Sequence, residues 1–124
     1  MCGIIAIAGG KIDRNRYKTA AMLQKLKHRG PDGQGEVMFP GCWLGHRRLA
    51  IVDLKTGNQP MVDGNLAVTF NGEIYNYREL RIQLEKDGCH FRTNSDTEVI
   101  LKAYRVWGKE CPKHLDGMFA FAIW

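Results

Sequence analysis

The chain opens with Met1-Cys2-Gly3-Ile4-Ile5-Ala6-Ile7-Ala8-Gly9-Gly10, a stretch that sets how the rest of the sequence is interpreted. The run from Gly3 to Ala8 is apolar and rich in isoleucine, and two glycines follow it. A short β-branched run bounded by glycine predicts a strand that is buried on both faces. We therefore expect the chain to start inside the fold, with Cys2 at the beginning of a strand.

Cys2 is the most informative residue of this stretch, because only Met1 precedes it. Removal of Met1 would leave an α-amine with a pKa of roughly 8, close to the thiol value of about 8.5. Such an amine can serve as the base for the thiol of its own residue. A cysteine thiolate attacks an amide carbonyl to give a thioester and release ammonia. Taken alone, however, a cysteine at position two is more often an incidental small residue.

The middle of the chain alternates between helix and strand patterns. Apolar residues recur at three- and four-residue steps in residues 16–28, which predicts an amphipathic helix ended by the Gly and Pro of residues 30–33. Residues 43–52 and 66–70 are rich in β-forming residues and predict two strands. The second of these strands meets Asn71-Gly72, a turn-forming pair.

Two more helices and a last strand are expected after that pair. Residues 77–86 predict a helix capped by Asn76. Ser95-Asp96-Thr97-Glu98 has the form of a capping box, and the apolar face behind it predicts a helix that ends at Gly108. The final apolar run, residues 117–124, is typical of a strand. The pattern as a whole indicates an α+β protein.

Asn71-Gly72 is a candidate for stabilising negative charge on an attacked carbonyl. A side-chain amide beside a glycine N–H supplies two hydrogen-bond donors in one turn, as an oxyanion hole requires. The alternative is a hairpin turn, for which Asn-Gly is the commonest dipeptide. The sequence that follows leads toward a helix rather than back along a returning strand, which favours the first interpretation.

A free amino-acid substrate needs a cation for its carboxylate and an anion for its ammonium group. Arg48 and Asp96 are the candidates. Each has a structural alternative of similar weight. Asp96 lies in a capping box and could only stabilise a helix N-terminus. Arg48 follows Arg47, and the pair could be solvated strand residues.

Composition and spacing narrow the remaining classes of function. The chain has 124 residues, the size of one domain, with 44% hydrophobic and 25% charged residues. Neither the four cysteines nor the four histidines show metal-ligand spacing, which disfavours zinc and a disulfide framework and favours a reducing cytoplasm. No segment resembles a signal peptide or a membrane span. A net charge of +5 could suit a nucleic acid, but no recognition motif accompanies it.

Several short motifs, considered together, resemble the class II glutamine amidotransferases, and their order and spacing look most like the glutaminase domain of asparagine synthetases. These motifs are Met1-Cys2-Gly3-Ile4, His28-Arg29-Gly30-Pro31-Asp32, Arg48-Leu49-Ala50-Ile51-Val52-Asp53, Gln59-Pro60, Phe70-Asn71-Gly72-Glu73-Ile74-Tyr75-Asn76, Ser95-Asp96-Thr97-Glu98 and Gly117-Met118-Phe119-Ala120-Phe121. The resemblance runs from the first residue to the last.

The resemblance implies a role for each matching residue. Cys2 would be the nucleophile, activated by its own amine. The Asn71 side chain and the Gly72 N–H would form the oxyanion hole, Arg48 would bind the α-carboxylate of glutamine, and Asp96 would bind its α-amine. The pocket would be completed, largely through backbone groups, by Leu49, Ala50, Ile51, Val52 and Glu73.

The resemblance also implies a fold, that of the N-terminal nucleophile hydrolases, with two antiparallel sheets between helical layers. In the family, the glutaminase domain continues past the segment 118–121 and an ATP-binding synthetase domain follows. Residues 1–124 are accordingly expected to be an incomplete glutaminase domain, truncated at the C-terminus, with the synthetase domain absent. We expect no cofactor and no metal in this chain, and ATP and magnesium in the missing domain. Unpaired sheet edges would invite a homodimer.

Three alternatives remain open at this stage. The chain could belong to a related amidotransferase with a sugar or peptide acceptor. It could be a catalytically inactive module that binds or assembles with a partner domain. A nucleic-acid-binding domain ranks last, because only the charge balance supports it.

Overall fold

The computed structural model describes residues 1–13, 17–50 and 56–124. Its elements, in chain order, are β1 (Gly3–Ala8), α1 (Thr19–Lys25), β2 (Gly33–Phe39), β3 (Cys42–Arg48), β4 (Met61–Asp63), β5 (Leu66–Ile74), α2 (Tyr77–Lys86), α3 (Asp96–Trp107), a 3-10 helix (Gly108–His114) and β6 (Gly117–Ile123). None of the helices within these segments is long and apolar enough to cross a bilayer.

The strands form two antiparallel sheets of three strands each. The first sheet has the order β1-β3-β2, and the second has the order β4-β5-β6. In the first sheet Gly3 pairs with Arg47, which places Cys2 near the end of β3. In the second sheet Asn71 pairs with Ala120 and Gly72 with Phe119. The central strands β3 and β5 therefore each carry part of the predicted site.

The two sheets pack face to face between helices, as predicted. Strands β1 and β3 contact β5, α1 contacts β3, and α3 contacts β5 with α2 packed beside it. The larger apolar core fills the space between β5 and the helices α2 and α3, with Phe70, Leu84 and Ile100 among its buried members. A smaller core of Cys42, Leu44 and Ala67 lies between the sheets. The order of layers is helix, sheet, sheet, helix.

Two strand predictions need correction. Strand β1 is not buried on both faces, because Ala6 and Ala8 are exposed; β1 lies at the edge of its sheet, where only one side has a paired neighbour. Asn71-Gly72 is not a turn, because β5 runs through it to Ile74. Pairing with β6 along residues 68–74 holds this segment extended, so long-range pairing overrides the local turn preference.

Two helix-cap predictions also differ from the structure. Asn76 stands at the N-cap of α2 without a side-chain capping bond. Its amide instead donates to the carbonyl oxygen of His114 at 3.0 Å and accepts from the backbone nitrogen of Asp116 at 2.9 Å. At α3, Ser95 caps the helix by accepting from the Thr97 nitrogen at 3.1 Å. The carboxylate of Glu98 does not complete the box with Ser95 but accepts from residues 92 and 93.

Candidate functional site

The site lies where the ends of β3 and β5 face each other. Side chains two residues apart on a strand share a face. Arg48 therefore lies on the face of β3 that carries Cys42 and Leu44 toward the second sheet. Asn71 lies on the face of β5 that carries Ala67 toward the first sheet. Between them opens a cavity of about 410 Å³, a volume within the usual range for small-molecule sites.

Most of the predicted site residues meet at this cavity. Its lining consists of Met1, Cys2, Arg48, Leu49, Gly57, Gln59, Phe70, Asn71, Gly72, Glu73, Ser95, Asp96, Thr97, Met118, Phe119 and Ala120. Residues far apart in sequence thus share one concave surface. Ala50 is not among them, and its backbone nitrogen donates to Asp32 Oδ2 at 2.9 Å. Ile51 and Val52 lie outside the described residues.

Cys2 is half-buried at one wall of the cavity. Its Sγ atom accepts a hydrogen bond from the backbone nitrogen of Leu49 at 3.3 Å and also lies 3.6 Å from the Leu49 carbonyl oxygen. The backbone of Leu49, at the end of β3, therefore orients the sulfur toward the cavity wall.

Arg29 is a site residue to which the sequence motif assigned no role. Its Nε atom donates to the carbonyl oxygen of Cys2 at 3.0 Å. This bond links the segment after α1 to Cys2 at the cavity wall. Gly30 is close to the backbone of Arg47, where any Cβ would clash, so the two segments are in tight contact at this point.

The carboxylate-binding candidate Arg48 is held by the segment that follows the undescribed residues 51–55. Its Nη1 atom donates to Asn58 Oδ1 at 3.1 Å. The next residue, Gln59, accepts from the Phe70 backbone nitrogen at 2.7 Å. Residues 58 and 59 therefore join Arg48 to the strand that carries Asn71. Arg47 is only 6% exposed, so the alternative in which both arginines are solvated does not hold for Arg47.

Asn71 and Gly72 form the opposite wall. The Oδ1 atom of Asn71 is buried and has no hydrogen-bond partner among the described residues. Gly72 has φ 144°, a left-handed conformation that side chains rarely adopt. A Cβ at this position would also clash with the carbonyl oxygen of Met118. Glycine is thus required by both the backbone angle and the close approach of β6.

Asp96 is a buried acidic residue of the cavity, whose lining also includes Glu73. The residue is 4% exposed, and its Oδ2 accepts from the Ile74 backbone nitrogen at 3.2 Å. Burial raises the pKa of this carboxyl group, with a smaller contribution from the negative charge of Glu73, while backbone N–H groups of Ile74 and Thr97 oppose the change. A bound cation would offset part of the free-energy cost of burying the charged carboxylate. Asp96 is therefore suited to bind an ammonium group.

The histidines do not enter the cavity. His28 is exposed and its Nδ1 lies 2.9 Å from the Lys25 carbonyl oxygen. His46 is fully buried between the sheets. In the described segments, no group of three or more His, Cys, Asp or Glu side chains is arranged to hold a metal ion.

The chain is similar to known proteins along its whole length. The model of the glutamine amidotransferase domain family matches residues 1–124. Asparagine synthetase [glutamine-hydrolyzing] 3 of Arabidopsis thaliana is 45% identical over 99% of this chain and 22% of its own length. A probable asparagine synthetase [glutamine-hydrolyzing] of Schizosaccharomyces pombe is 44% identical over 100% of this chain and 23% of its own. The chain therefore spans less than a quarter of the length of these relatives.

A solved structure with a similar fold is the glutamine phosphoribosylpyrophosphate amidotransferase from B. subtilis, in complex with ADP and GMP. It superposes with a TM-score of 0.76 and 26% identity, over 98% of this chain and 34% of its own. The fold is thus that of an N-terminal nucleophile amidotransferase, an αββα sandwich. With a family model matched over its whole length, the chain belongs to the glutamine amidotransferase domain family.

Proposed function

We propose that this chain hydrolyses glutamine to glutamate and ammonia, with Cys2 as the nucleophile once Met1 has been removed. The observation that supports the proposal best is the single cavity lined by Cys2, Arg48, Asn71, Gly72 and Asp96. It brings a thiol, a guanidinium group, a side-chain amide and a carboxylate to one concave surface. Met1 is 67% exposed and therefore accessible to processing.

In this proposal the ends of glutamine are held by opposite charges. Arg48 pairs with the α-carboxylate, for which a guanidinium fork is well shaped, and Asp96 pairs with the α-ammonium. The carboxamide then points toward Cys2. Leu49 and Glu73 complete the pocket beside these residues, and Ala50, Ile51 and Val52 are assigned to it by the family resemblance alone.

The reaction follows from these positions in two steps. The α-amine of Cys2 takes the thiol proton, and Sγ attacks the carboxamide carbon while the Asn71 amide and the Gly72 N–H stabilise the oxyanion. The protonated amine gives its proton to the departing nitrogen, which leaves as ammonia, and a thioester remains. Water then attacks the thioester with the amine as base, which releases glutamate and restores the thiol.

For the parent protein we propose an asparagine synthetase, in which the released ammonia amidates aspartate. The 45% identity to a relative of that name, against 26% to a phosphoribosylpyrophosphate amidotransferase, favours this acceptor. ATP, with magnesium, would activate the aspartate carboxylate in the region that the relatives have beyond the matched part. All four cysteines are free, which supports a reducing compartment such as the cytoplasm.

The experiment that tests the proposal measures ammonia release from glutamine. Material whose intact mass shows loss of Met1 is compared with Cys2→Ala and with the control Cys89→Ala, a half-buried cysteine that is not among the cavity residues. We expect turnover in the unsubstituted chain and in Cys89→Ala, and none in Cys2→Ala. Equal rates in Cys2→Ala and the unsubstituted chain would remove Cys2 from the mechanism. If all three proteins are folded and none releases ammonia, a non-catalytic binding module is favoured instead.

A further inference from the structure

A buried polar pair joins the two sheets beside the cavity. His46 on β3 and Thr69 on β5 are both 0% exposed. The Thr69 hydroxyl donates to the Gly45 carbonyl oxygen at 3.2 Å, and His46 Nδ1 lies 3.1 Å from the same hydroxyl oxygen. Since the hydroxyl proton is directed at Gly45, the oxygen accepts from His46. His46 therefore carries a proton on Nδ1 and ties one sheet to the other.

The pair stands next to the functional residues on both strands. His46 is two residues before Arg48, and Thr69 is two residues before Asn71. Side chains at this spacing share a face, about 7 Å apart along the strand. The hydrogen bond thus joins β3, which carries Arg48, to β5, which carries Asn71. On each strand it lies two residues from the proposed functional residue.

We propose that His46 and Thr69 are positioning residues that fix the separation between Arg48 and Asn71, and so the fit of glutamine between them. The inference rests on the proposed function, because it concerns the same substrate. Glutamine must span both strands at once, with its carboxylate on β3 and its reacting carbonyl at β5. A link that sets the distance between the strands therefore sets the alignment of the carboxamide with Cys2.

Stability alone does not account for a histidine at this position. The Nε2 atom of His46 is buried and has no partner among the described residues. Leaving a buried polar atom unsatisfied costs free energy, whereas replacing both partners of a buried hydrogen bond with apolar groups of similar shape is nearly neutral or stabilising. What the polar pair adds over an apolar pair is direction, because a hydrogen bond holds one separation and one orientation.

The decisive variant is the double substitution His46→Leu with Thr69→Val, which removes both partners. We expect its denaturant midpoint to stay at or above that of the unsubstituted chain, while kcat/KM for glutamine falls by between tenfold and the order of 100-fold, the cost of a misalignment of about 1 Å. Alkylation of Cys2 by a small thiol reagent such as iodoacetamide should keep its rate. Labelling by an electrophilic glutamine analogue should slow in parallel with turnover.

Two conservative variants retain the hydrogen bond and remain informative if the double variant does not fold. His46→Asn keeps a donor near the position of Nδ1, and Thr69→Ser keeps the hydroxyl, so both should retain most of kcat/KM. Cys42→Ala is the matched control, a buried residue on the same face of β3 but remote from the cavity. It should lower the denaturant midpoint and leave kcat/KM unchanged.

The outcomes separate this inference from the proposed function. If Cys2→Ala is inactive but the double variant has unchanged kcat/KM, the positioning role is wrong. It is also wrong if His46→Asn loses as much activity as the double variant, since retaining a hydrogen-bonding side chain would then make no difference. If the unsubstituted, processed chain releases no ammonia, the proposed function itself has failed. Loss of turnover with unchanged iodoacetamide labelling supports the inference.

Discussion

The Nε atom of Arg29 donates a hydrogen bond of 3.0 Å to the carbonyl oxygen of Cys2. This contact fixes the backbone of the proposed nucleophile from outside the strand, through a residue 27 positions later in the chain. Because the sulfur is at the same time held by the Leu49 nitrogen, Cys2 is restrained at its side chain and at its backbone.

Replacement of Arg29 by Gln should therefore impair turnover without abolishing it. A hydrogen bond from a charged group contributes about 1.5 kcal/mol at the low end of its range, which corresponds to about tenfold in kcat/KM. Steady-state ammonia release measures the change. Lys86→Gln removes an exposed cation at the end of α2 and serves as the control. If both variants lose activity equally, overall charge and not the bond to Cys2 is responsible.

Asn58→Ala should weaken glutamine binding more than it slows the chemistry. Asn58 Oδ1 accepts from Arg48 Nη1, so its loss removes one contact that orients the guanidinium group proposed to hold the α-carboxylate. We expect KM to rise about three- to tenfold, the equivalent of one hydrogen bond, with kcat nearly unchanged. An unchanged KM in Asn58→Ala would show that the hydrogen bond from Asn58 is not needed to orient Arg48 for glutamine binding.

Gly72→Ala should be far more damaging than a substitution at another glycine of positive φ. Gly72 and Gly88 both have positive φ, 144° and 91°, so alanine at either position strains the backbone. Of the two, only Gly72 would place the new Cβ against a backbone atom, the Met118 carbonyl oxygen, whereas at Gly88 it meets nothing within 4 Å. Urea unfolding of the two variants measures the difference. Equal losses of unfolding free energy would contradict this account of β5 and β6.

The sequence predicted the elements whose signals are local and the site residues whose charges a free amino acid demands. Helix α2 was predicted with its observed bounds, 77–86, because its period and cap positions are confined to one segment. The extended conformation of Asn71-Gly72 could not be predicted in this way. That conformation depends on pairing with residues 119 and 120, nearly 50 positions later, and no local pattern contains that information.

The supporting residues of the site were missed for a related reason. Asn58, Gln59 and Arg29 act by contacts with residues remote in sequence, and although Arg29 and Gln59 lie in the family motifs, the sequence assigned none of the three a role. Glu98 was assigned to a capping box, but its buried carboxylate instead accepts from the backbone nitrogens of Arg92 and Thr93 at 3.0 and 2.7 Å. The motif identified an acid that stabilises the start of α3. Only the fold shows that it does so by holding the loop before Asp96.

His46 predicts a specific pH dependence of stability. Burial, with a smaller effect of the Arg48 charge, lowers the pKa of His46 to about 4. Its ordinary value is 6.5. The unfolded chain therefore binds the proton more readily, so this contribution to stability is complete above pH 6.5 and is lost as the pH falls toward 4. A shift of this size is worth up to about 3 kcal/mol.

The measurement is urea unfolding of the unsubstituted chain and of His46→Asn at several pH values between 7 and 4. Asp96 acts in the opposite direction, because burial raises the pKa of its carboxyl group and favours the folded state at low pH. Taking the difference between the two proteins removes this and other shared contributions. We expect the unsubstituted chain to lose more unfolding free energy than His46→Asn over this interval. If the unfolding free energies of the two proteins change in parallel with pH, His46 is protonated in the folded protein as readily as in the unfolded chain. The space between the sheets would then admit the charge.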